Sequence, residues 1–347
     1  MMEPARECDR IEFPFSFEQT APRFDDSLGA WVLTRYADVL AAFHCSSLFP
    51  AGLNSEAPLA RLAEVKTRNM RRETRDALSP VQLRVWRRRV SLAARALIKD
   101  FSADRPVDLV SSYARPLCLI LAATVTSTDL AEAERLRVNA EPIASSAAEP
   151  FDAALKSRAK AATAKIRGCF RSGPEPLRDS GFVALAHTLP CLLANAWFAL
   201  LKVPEQWTLL HRQPRLAERA VEELLRCSGL PRILFRTAIH DVELNGVFIR
   251  QGERVVLRVL AANLDPEHFP EPDRVDVSRR RIRHLALGAG PHSCVGAGLI
   301  RMAAVSISRP LVERFAAAEL TKPVEWRGGS GYRFPASLWV RFGSHSS

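Results

Sequence analysis

The sequence predicts a mainly α-helical protein: a helical body with small β-sheets, most of them in its C-terminal half. Three observations lead there. Between about residues 61 and 200, apolar side chains recur at helical spacing. Beyond residue 230 the texture changes to short alternating runs broken by turn residues. The composition, 47% apolar and 25% charged over 347 residues, is that of a globular chain. It sets aside collagen, coiled coil and wholesale disorder.

The elements follow in order. Residues 11 to 30 read as irregular, punctuated by Pro14, Pro22 and Gly29. Trp31 to Thr34 reads as a short strand and Tyr36 to Phe43 as a short helix. Residues 44 to 60 form a loop around Pro50, Gly52 and Pro58. Ser79-Pro80 is a helix start, with Ser as the cap and Pro where a missing N–H costs nothing. It opens an amphipathic stretch through Ile98. Leu117 to Val125 is apolar on every face, so it predicts a buried helix. Asp152 is placed to cap an Ala-rich helix from Ala153 to Phe170. Gly173-Pro174-Glu175-Pro176 breaks the chain, and a second buried helix runs from about Phe182 to Leu201.

Val242 to Ile249 is a hairpin: two strands around Asn245-Gly246, residues that tolerate the positive φ a tight turn demands. Arg254 to Leu260 is a further strand. Residues 263 to 293 are mostly irregular, a length that points to function. Gly296 to Phe315 is helical, and Val324 to Phe342 reads as strands around Gly328-Gly329 and Gly331.

Forty-nine basic residues against 38 acidic ones give a net charge of +11, mostly from arginine. No basic block alternates with aromatics as a nucleic-acid surface would. The densest runs, Arg68 to Arg75 and Arg84 to Arg89, suit a solvated face or a docking face for an acidic partner. Met1 to Arg10 is unlike a signal peptide. The apolar run Leu189 to Leu201 falls short of the roughly 20 residues of a membrane span, so no span is expected. Cys8, Cys45, Cys118, Cys169, Cys191 and Cys227 show no pairing pattern, which predicts free thiols and a cytoplasmic location. Glu253 and Glu267 are expected to be solvated, and no dinucleotide fingerprint is present.

The chemistry concentrates in Gly288-Ala289-Gly290-Pro291-His292-Ser293-Cys294-Val295-Gly296. Cys294 falls just before a helix, where backbone N–H groups and the helix dipole favour a negative sulfur. Gly288, Gly290 and Gly296 let the backbone approach a flat partner. A zinc site needs more ligands at short spacing, and only His292 and His284 lie nearby. A cysteine hydrolase needs a base, and the glycines offer it no logic. A single thiolate in a glycine loop fits axial ligation of haem iron best. Upstream, Glu223 and Arg226 stand at i, i+3 on one helix face.

With that pair, and the hairpin between it and Cys294, the sequence resembles the cytochrome P450 family, in its soluble bacterial branch. The resemblance runs from about Trp31 to Phe342 and implies one domain over residues 1–347 with the P450 fold. It implies that Cys294 is the axial ligand of haem b, iron protoporphyrin IX. Leu299 and Arg301 match the helix that follows. Glu223, Arg226 and Arg274 match a buried structural triad. Arg71, Arg236 and His292 match the partners of the haem propionates, although Thr67 stands where the family usually has a histidine. Trp31 to Val39, Pro204-Glu205-Gln206 and Arg236-Thr237-Ala238 also fall where the family has them.

The distal stretch departs from the family pattern. Ala184 to Thr188 covers a segment that usually carries a glycine and an acid before the threonine. Thr188 keeps the alcohol, His187 replaces the acid and Leu185 the glycine. Thr188 and His187 are then the expected proton-delivery pair. Pro190 removes a backbone donor and frees the Ala186 carbonyl. Leu287 replaces a phenylalanine. The chain is abbreviated around residues 170 to 181, among segments that roof the family's substrate pocket, which predicts an open pocket or one closed by a partner. The resemblance implies a monooxygenase acting on a small organic molecule, in secondary metabolism, with electrons from a ferredoxin-type partner. The alternatives are a haem enzyme that uses peroxide or rearranges its substrate, and a non-catalytic module that binds a partner.

Overall fold

The computed structural model describes residues 19–51, 68–102, 105–170 and 175–343. Cys8, Gly52, Pro58, Thr67, Gly173 and Pro174 lie outside them. In chain order the elements begin with β1 (Arg23–Asp25), β2 (Ala30–Leu33), α1 (Tyr36–His44) and β3 (Leu48–Pro50). A helix over 68–77, α2, leads to α3 (Pro80–Leu97), β4 (Val107–Asp108) and α4 (Arg115–Thr126). Then come α5 (Leu130–Arg137), α6 (Ala140–Ala148), α7 (Ala153–Cys169), α8 (Glu175–Arg178), α9 (Ser180–Val183), α10 (Leu189–Leu201), α11 (Pro204–Arg212) and α12 (Ala217–Ser228). Strands β5 (Leu234–Ala238), β6 (Val242–Leu244), β7 (Val247–Ile249) and β8 (Arg254–Leu257) precede α13 (Val259–Asn263) and α14 (Ala297–Arg314). The chain closes with β9 (Ala317–Leu320), β10 (Trp326–Gly328), β11 (Arg333–Pro335) and β12 (Trp339–Gly343).

The main core is helical. Residues of α3, α4, α10, α12 and α14 pack into one apolar cluster, with Trp197, Trp207, Tyr113 and Phe182 among its largest buried side chains. A second cluster sits under a five-stranded sheet of order β1-β2-β8-β5-β3, in which only β2 and β8 run parallel. The other sheets are β4-β12-β9 and the hairpins β6-β7 and β10-β11. The fold is that expected: a helical body with small sheets.

The caps behave as their chemistry dictates. Ser79 accepts from Gln82 N and Asp152 from Leu155 N at 2.8 Å. Asn245 (φ +47°) and Gly246 (φ +85°) make the hairpin turn, and Asn245 Nδ2 donates to buried Asp38 at 2.6 Å. Other readings need correction. Residues 23–25 and 48–50, expected as irregular chain, pair at the sheet's two edges. The strand from Arg254 ends at Leu257, and α13 takes over. Glu175 and Pro176 belong to a helical turn rather than a break. Glu253 accepts from Trp31 Nε1 at 2.8 Å and from Arg250 N at 2.9 Å, so it ties β2 to the β7–β8 turn.

The buried helix expected from about Phe182 to Leu201 is present. Ser180–Leu201 is a continuous helix of 22 residues, long and apolar enough to cross a membrane, with 72% of its most apolar window buried inside the fold. Its length is used as the spine of the core.

Two proline-containing helices share one device. The turn Val110–Ala114 before α4 and the turn Ala184–Thr188 before α10 are both widened to π geometry. Arg115 N reaches back to Val110 O, and Leu189 N to Ala184 O. Each widening re-phases the helix, so that Pro116 and Pro190 fall in a first turn, where a missing N–H is harmless.

Residues 264–289 are irregular yet wrap buried structure, so their backbone groups need partners. Side chains of α12 supply them. Glu223 and Arg226 are fully buried and paired twice, both bonds at 2.8 Å. Arg226 also donates to the carbonyls of Asn263, Pro272 and Arg274. Glu223 accepts from Asp276 N at 3.1 Å. The expected third member, Arg274, is not in this cluster as a side chain: its guanidinium pairs with Glu271 at the surface. Arg279 takes the place, with Nε 3.1 Å from Glu223 Oε1. Arg274 contributes only its carbonyl, which accepts from both Arg226 and Arg279.

At the far end of the irregular segment, Gly290 (φ +64°) lies against α1: a Cβ there would stand 2.6 Å from Phe43 O. Two stability predictions follow from these contacts, both checked by denaturant unfolding. Glu223→Ala strands a buried guanidinium and lowers stability by about 3–5 kcal/mol, while Arg274→Ala changes it by less than about 0.5 kcal/mol. Gly290→Ala lowers stability by about 2 kcal/mol or more through the left-handed φ and the clash with Phe43. Gly298→Ala, whose Cβ meets Leu83 at an ordinary 3.6 Å, leaves stability unchanged or raises it by up to about 1 kcal/mol.

Candidate functional site

Cys294 sits three residues before α14, at the end of the irregular segment. Its N–H donates to Leu287 O at 2.7 Å, Ser293 N to Gly290 O at 3.1 Å and Gly288 N to Leu285 O at 2.8 Å, so the loop is folded on itself. Gly288 (φ +68°) and Gly290 use the left-handed conformation. Gly296 does not (φ −83°), but a Cβ there would lie 3.9 Å from the Cys294 sulfur. Its absence leaves that side of the sulfur clear.

The sulfur is half-buried. Burial pushes the Cys294 thiol up; the Gly296 N–H, Arg71 and Arg301 pull it down without overcoming burial. The thiolate expected from the helix N-terminus alone is therefore not the resting form of the free protein. Coordination to a metal ion removes that proton outright. Among the described residues no group of three or more His, Cys, Asp and Glu is placed to hold a metal ion.

Two arginines and a histidine stand around this loop. Arg71 on α2 donates from Nη2 to Ser293 O at 2.6 Å. Arg236 on β5 is 6% exposed, stacks 5.5 Å from the Phe43 ring and donates to Phe235 O at 3.0 Å. Among the described residues it has no carboxylate partner, and burial lowers its guanidinium to about 10. His292 lies edge-on to Phe49 at 5.3 Å, on the strand where Pro50 faces Arg236. A buried cation without a counter-charge is expensive. This arrangement fits a flat, anionic group that brings carboxylates to Arg236 and a metal to Cys294.

The distal candidates stand on another element. Leu185 and Ala186 are buried in the widened turn before α10, and Thr188 and His187 are half-buried there. Among the described residues Thr188 has no hydrogen-bond partner for its hydroxyl, and neither it nor His187 is hydrogen-bonded to the Cys294 loop. His187 Nε2 lies 3.3 Å from Tyr332 OH and 3.9 Å from Cys191 Sγ. Burial lowers its pKa below 6.5, opposed by Glu141 and reinforced by Arg115 and Arg137, so the ring is neutral at pH 7.

A polar bracket braces the loop from outside. Glu222 takes both Nε and Nη2 of Arg301, at 2.6 and 3.0 Å, and stands 3.3 Å from His284 Nε2. Burial pushes its carboxyl up, but His284 and Arg301 outweigh it and hold it at about 2. The bracket joins α12, α14 and the start of the Cys294 loop. Beside it opens a cleft of about 590 Å³, lined by Arg84, Arg87, Arg219, Arg301, Glu218 and Glu222 among others.

Sequence reasoning passed over Arg279, Tyr332 and the Glu222–His284–Arg301 bracket. Arg279 opens a run of three arginines with nothing to distinguish one from the next. Tyr332 is 145 residues from His187. Glu222 stands next to Glu223, a signal that was present and unused.

A family model described as cytochrome P450 matches residues 211–324. Nocardicin C N-oxygenase of Nocardia uniformis subsp. tsuyamanensis is 42% identical over 148 residues, which are 41% of this chain and 37% of that protein. Cytochrome P450 CYP107DY1 of Priestia megaterium is 29% identical over 277 residues, 71% of this chain and 67% of that protein. In fold, the chain is similar to the cytochrome P450 enzyme CYP109B1 from Bacillus subtilis, with a TM-score of 0.78 at 24% identity over 92% of this chain and 95% of that one. The chain spans little more than a third of the nocardicin oxygenase's length. Residues 211–324, which match the family model, contain both the buried Glu223–Arg226 pair and the Cys294 loop that this pair supports. The chain has the cytochrome P450 fold, and in sequence it is similar to bacterial members of that family.

Proposed function

We propose that the protein is a haem-thiolate monooxygenase that oxidises a small organic molecule, in secondary metabolism and in the cytoplasm. The observation that carries this reading is Arg236, a buried guanidinium with no carboxylate partner among the described residues, set beside the Cys294 loop. Haem b, when bound, supplies dioxygen activation. The chain's own residues do the rest. Cys294 would hold the iron through its sulfur, and Gly288, Gly290 and Gly296 keep side chains away from it. Arg236, Arg71 and His292 would hold the haem carboxylates, Arg71 from its place at the Ser293 carbonyl. Thr188 offers an unpartnered hydroxyl at the wide turn, and His187 holds a proton beside it.

A second reading keeps the haem and drops dioxygen activation, in favour of peroxide or substrate rearrangement. One observation favours it: the acid of the distal turn is replaced by His187, which burial holds neutral.

Electrons come from a separate ferredoxin-type protein. The +11 net charge and the arginine-lined cleft beside α14 support an acidic partner docked there. The rate of reduction by an acidic ferredoxin is expected to fall steeply as salt rises from 0.05 to about 0.5 M, on Debye-length grounds. Arg84→Glu combined with Arg87→Glu should slow it at low salt. A salt-independent rate rejects the docking face.

The decisive measurement is the absorbance of the reduced protein under carbon monoxide. A red-shifted Soret band is expected, lost in Cys294→Ser. Arg236→Leu should give opposite signs in two assays: higher stability of the haem-free protein, because a buried charge is gone, and haem affinity weaker by about ten- to a hundredfold, the value of about 1.5–3 kcal/mol for a charged hydrogen bond. Turnover with peroxide alone, and none with reductant and oxygen, selects the second reading. No haem band after reconstitution rejects both and leaves a partner-binding module.

A further inference from the structure

The roof over the distal turn is built by the chain itself. Helix α6 packs on the Ala184–Thr188 turn, and the tip of the β10–β11 hairpin is fastened to the end of α6. Gly331 N donates to Glu149 at 2.8 Å, and Ser330 Oγ to the same oxygen at 3.1 Å. Side chains at Gly329 or Gly331 would collide with Glu149 or with the Ala148 carbonyl. The Gly331 carbonyl accepts from Arg232 N and Ile233 N, just ahead of β5. Tyr332 is thereby fixed in place and delivers its hydroxyl to His187.

Behind Tyr332 the polar groups continue outward. The Ser145 hydroxyl on α6 stands by the phenol and stabilises its oxygen. Glu141, one turn earlier on the same face of α6, is exposed, and its charge reaches both Tyr332 and His187. Positions i and i+4 of a helix share a face, so a carboxylate in water, a half-buried hydroxyl, a buried phenol and a half-buried imidazole stand in sequence from solvent to the wide turn. The groups facing His187 are Glu141 from α6, Arg115 from the start of α4, Arg137 from α5, Cys191 from α10 and Tyr332 from the hairpin.

We infer that Glu141, Ser145, Tyr332 and His187 form a proton path from solvent over α6 to the Ala184–Thr188 turn. The inference rests on the monooxygenase reading, which it deepens by naming how protons reach Thr188. The balance at each hop is one proton in and one out. Tyr332 gives its phenolic proton to His187 Nε2 and regains one from Ser145, which regains one from solvent, directly or by way of the Glu141 carboxylate. His187 receives at Nε2 and releases from Nδ1 toward the turn. That requires the neutral ring to carry its proton on Nδ1, with Nε2 as the acceptor. Burial favours both resting states: it keeps His187 neutral and lifts the Tyr332 phenol to about 12.

The test has two readouts. The first is the His187 ring in ¹⁵N NMR of the reduced, carbon monoxide-bound protein, which is diamagnetic. The Nδ1–H tautomer is expected in wild type, with Tyr332→Phe giving a tautomer mixture. A wild-type ring protonated on Nε2 overturns the path. The second readout is the fraction of reductant that appears in product rather than in hydrogen peroxide, in normal and heavy water. Tyr332→Phe should lower that fraction about tenfold and flatten its response to heavy water. Ser145→Ala, which leaves the Tyr332 ring packed, should lower it severalfold. If both variants keep the wild-type fraction, the path is overturned. Loss of the monooxygenase reading would show separately, as an absent carbon monoxide band or as turnover by peroxide alone.

Discussion

The structure depends on one buried ion pair. Glu223 and Arg226 are fully enclosed, a placement that by itself costs several kcal/mol per charge. Their bonds explain the placement. Residues 264–289 have no ladder or helix to satisfy their backbone, yet they must wrap the core to reach the Cys294 loop. Arg226 donates to two of their carbonyls and to that of Asn263 just before them, and Glu223 accepts one of their N–H groups and Arg279. The pair is a template for an irregular segment. With the segment fixed, Asn263 can hold Leu285 N, Gly290 can press on Phe43, and Cys294 arrives at the start of α14 in one position.

The distal side is shaped by a different constraint. A proline inside a buried helix leaves a carbonyl without its donor, and lipid-like surroundings offer no replacement. Ahead of Pro116 and Pro190 the chain answers by adding a residue to the preceding turn. In the second, the widened turn is where His187 and Thr188 lie, and α4 packs directly against it. The same adjustment that accommodates Pro190 thus opens the backbone beside the candidate chemistry. The Cys294 loop is held by charges and hydrogen bonds, the distal turn by helix phase.

Much of the fold was legible in the residues. Ser79-Pro80, Asp152 and Asn245-Gly246 act through atoms within three residues of themselves, so local chemistry predicts them. The Cys294 loop was legible for the same reason, since its glycines and cysteine are contiguous. Arg236 was found by resemblance, and its burial adds the physical reason. What failed was assignment among like neighbours. Arg274 and Arg279 lie on one irregular strip, and which guanidinium turns inward to Glu223 depends on the path of the backbone between them. Strands β1 and β3 were missed because three residues at a sheet edge carry no periodicity; their partners define them.

By itself the sequence determined the helical body, the hairpin at Asn245-Gly246, the order of the motifs and the single cysteine set before α14. These rest on periodicity, capping and turn chemistry, which act over a few residues. Only the tertiary structure decided that Arg236 is buried without a counter-charge, that burial rather than the helix end governs the Cys294 thiol, and that Tyr332 meets His187 from 145 residues away. Burial and long-range contact belong to the packed whole. A side chain's charge state and partners are set by which surfaces close over it, and no window of sequence contains that information.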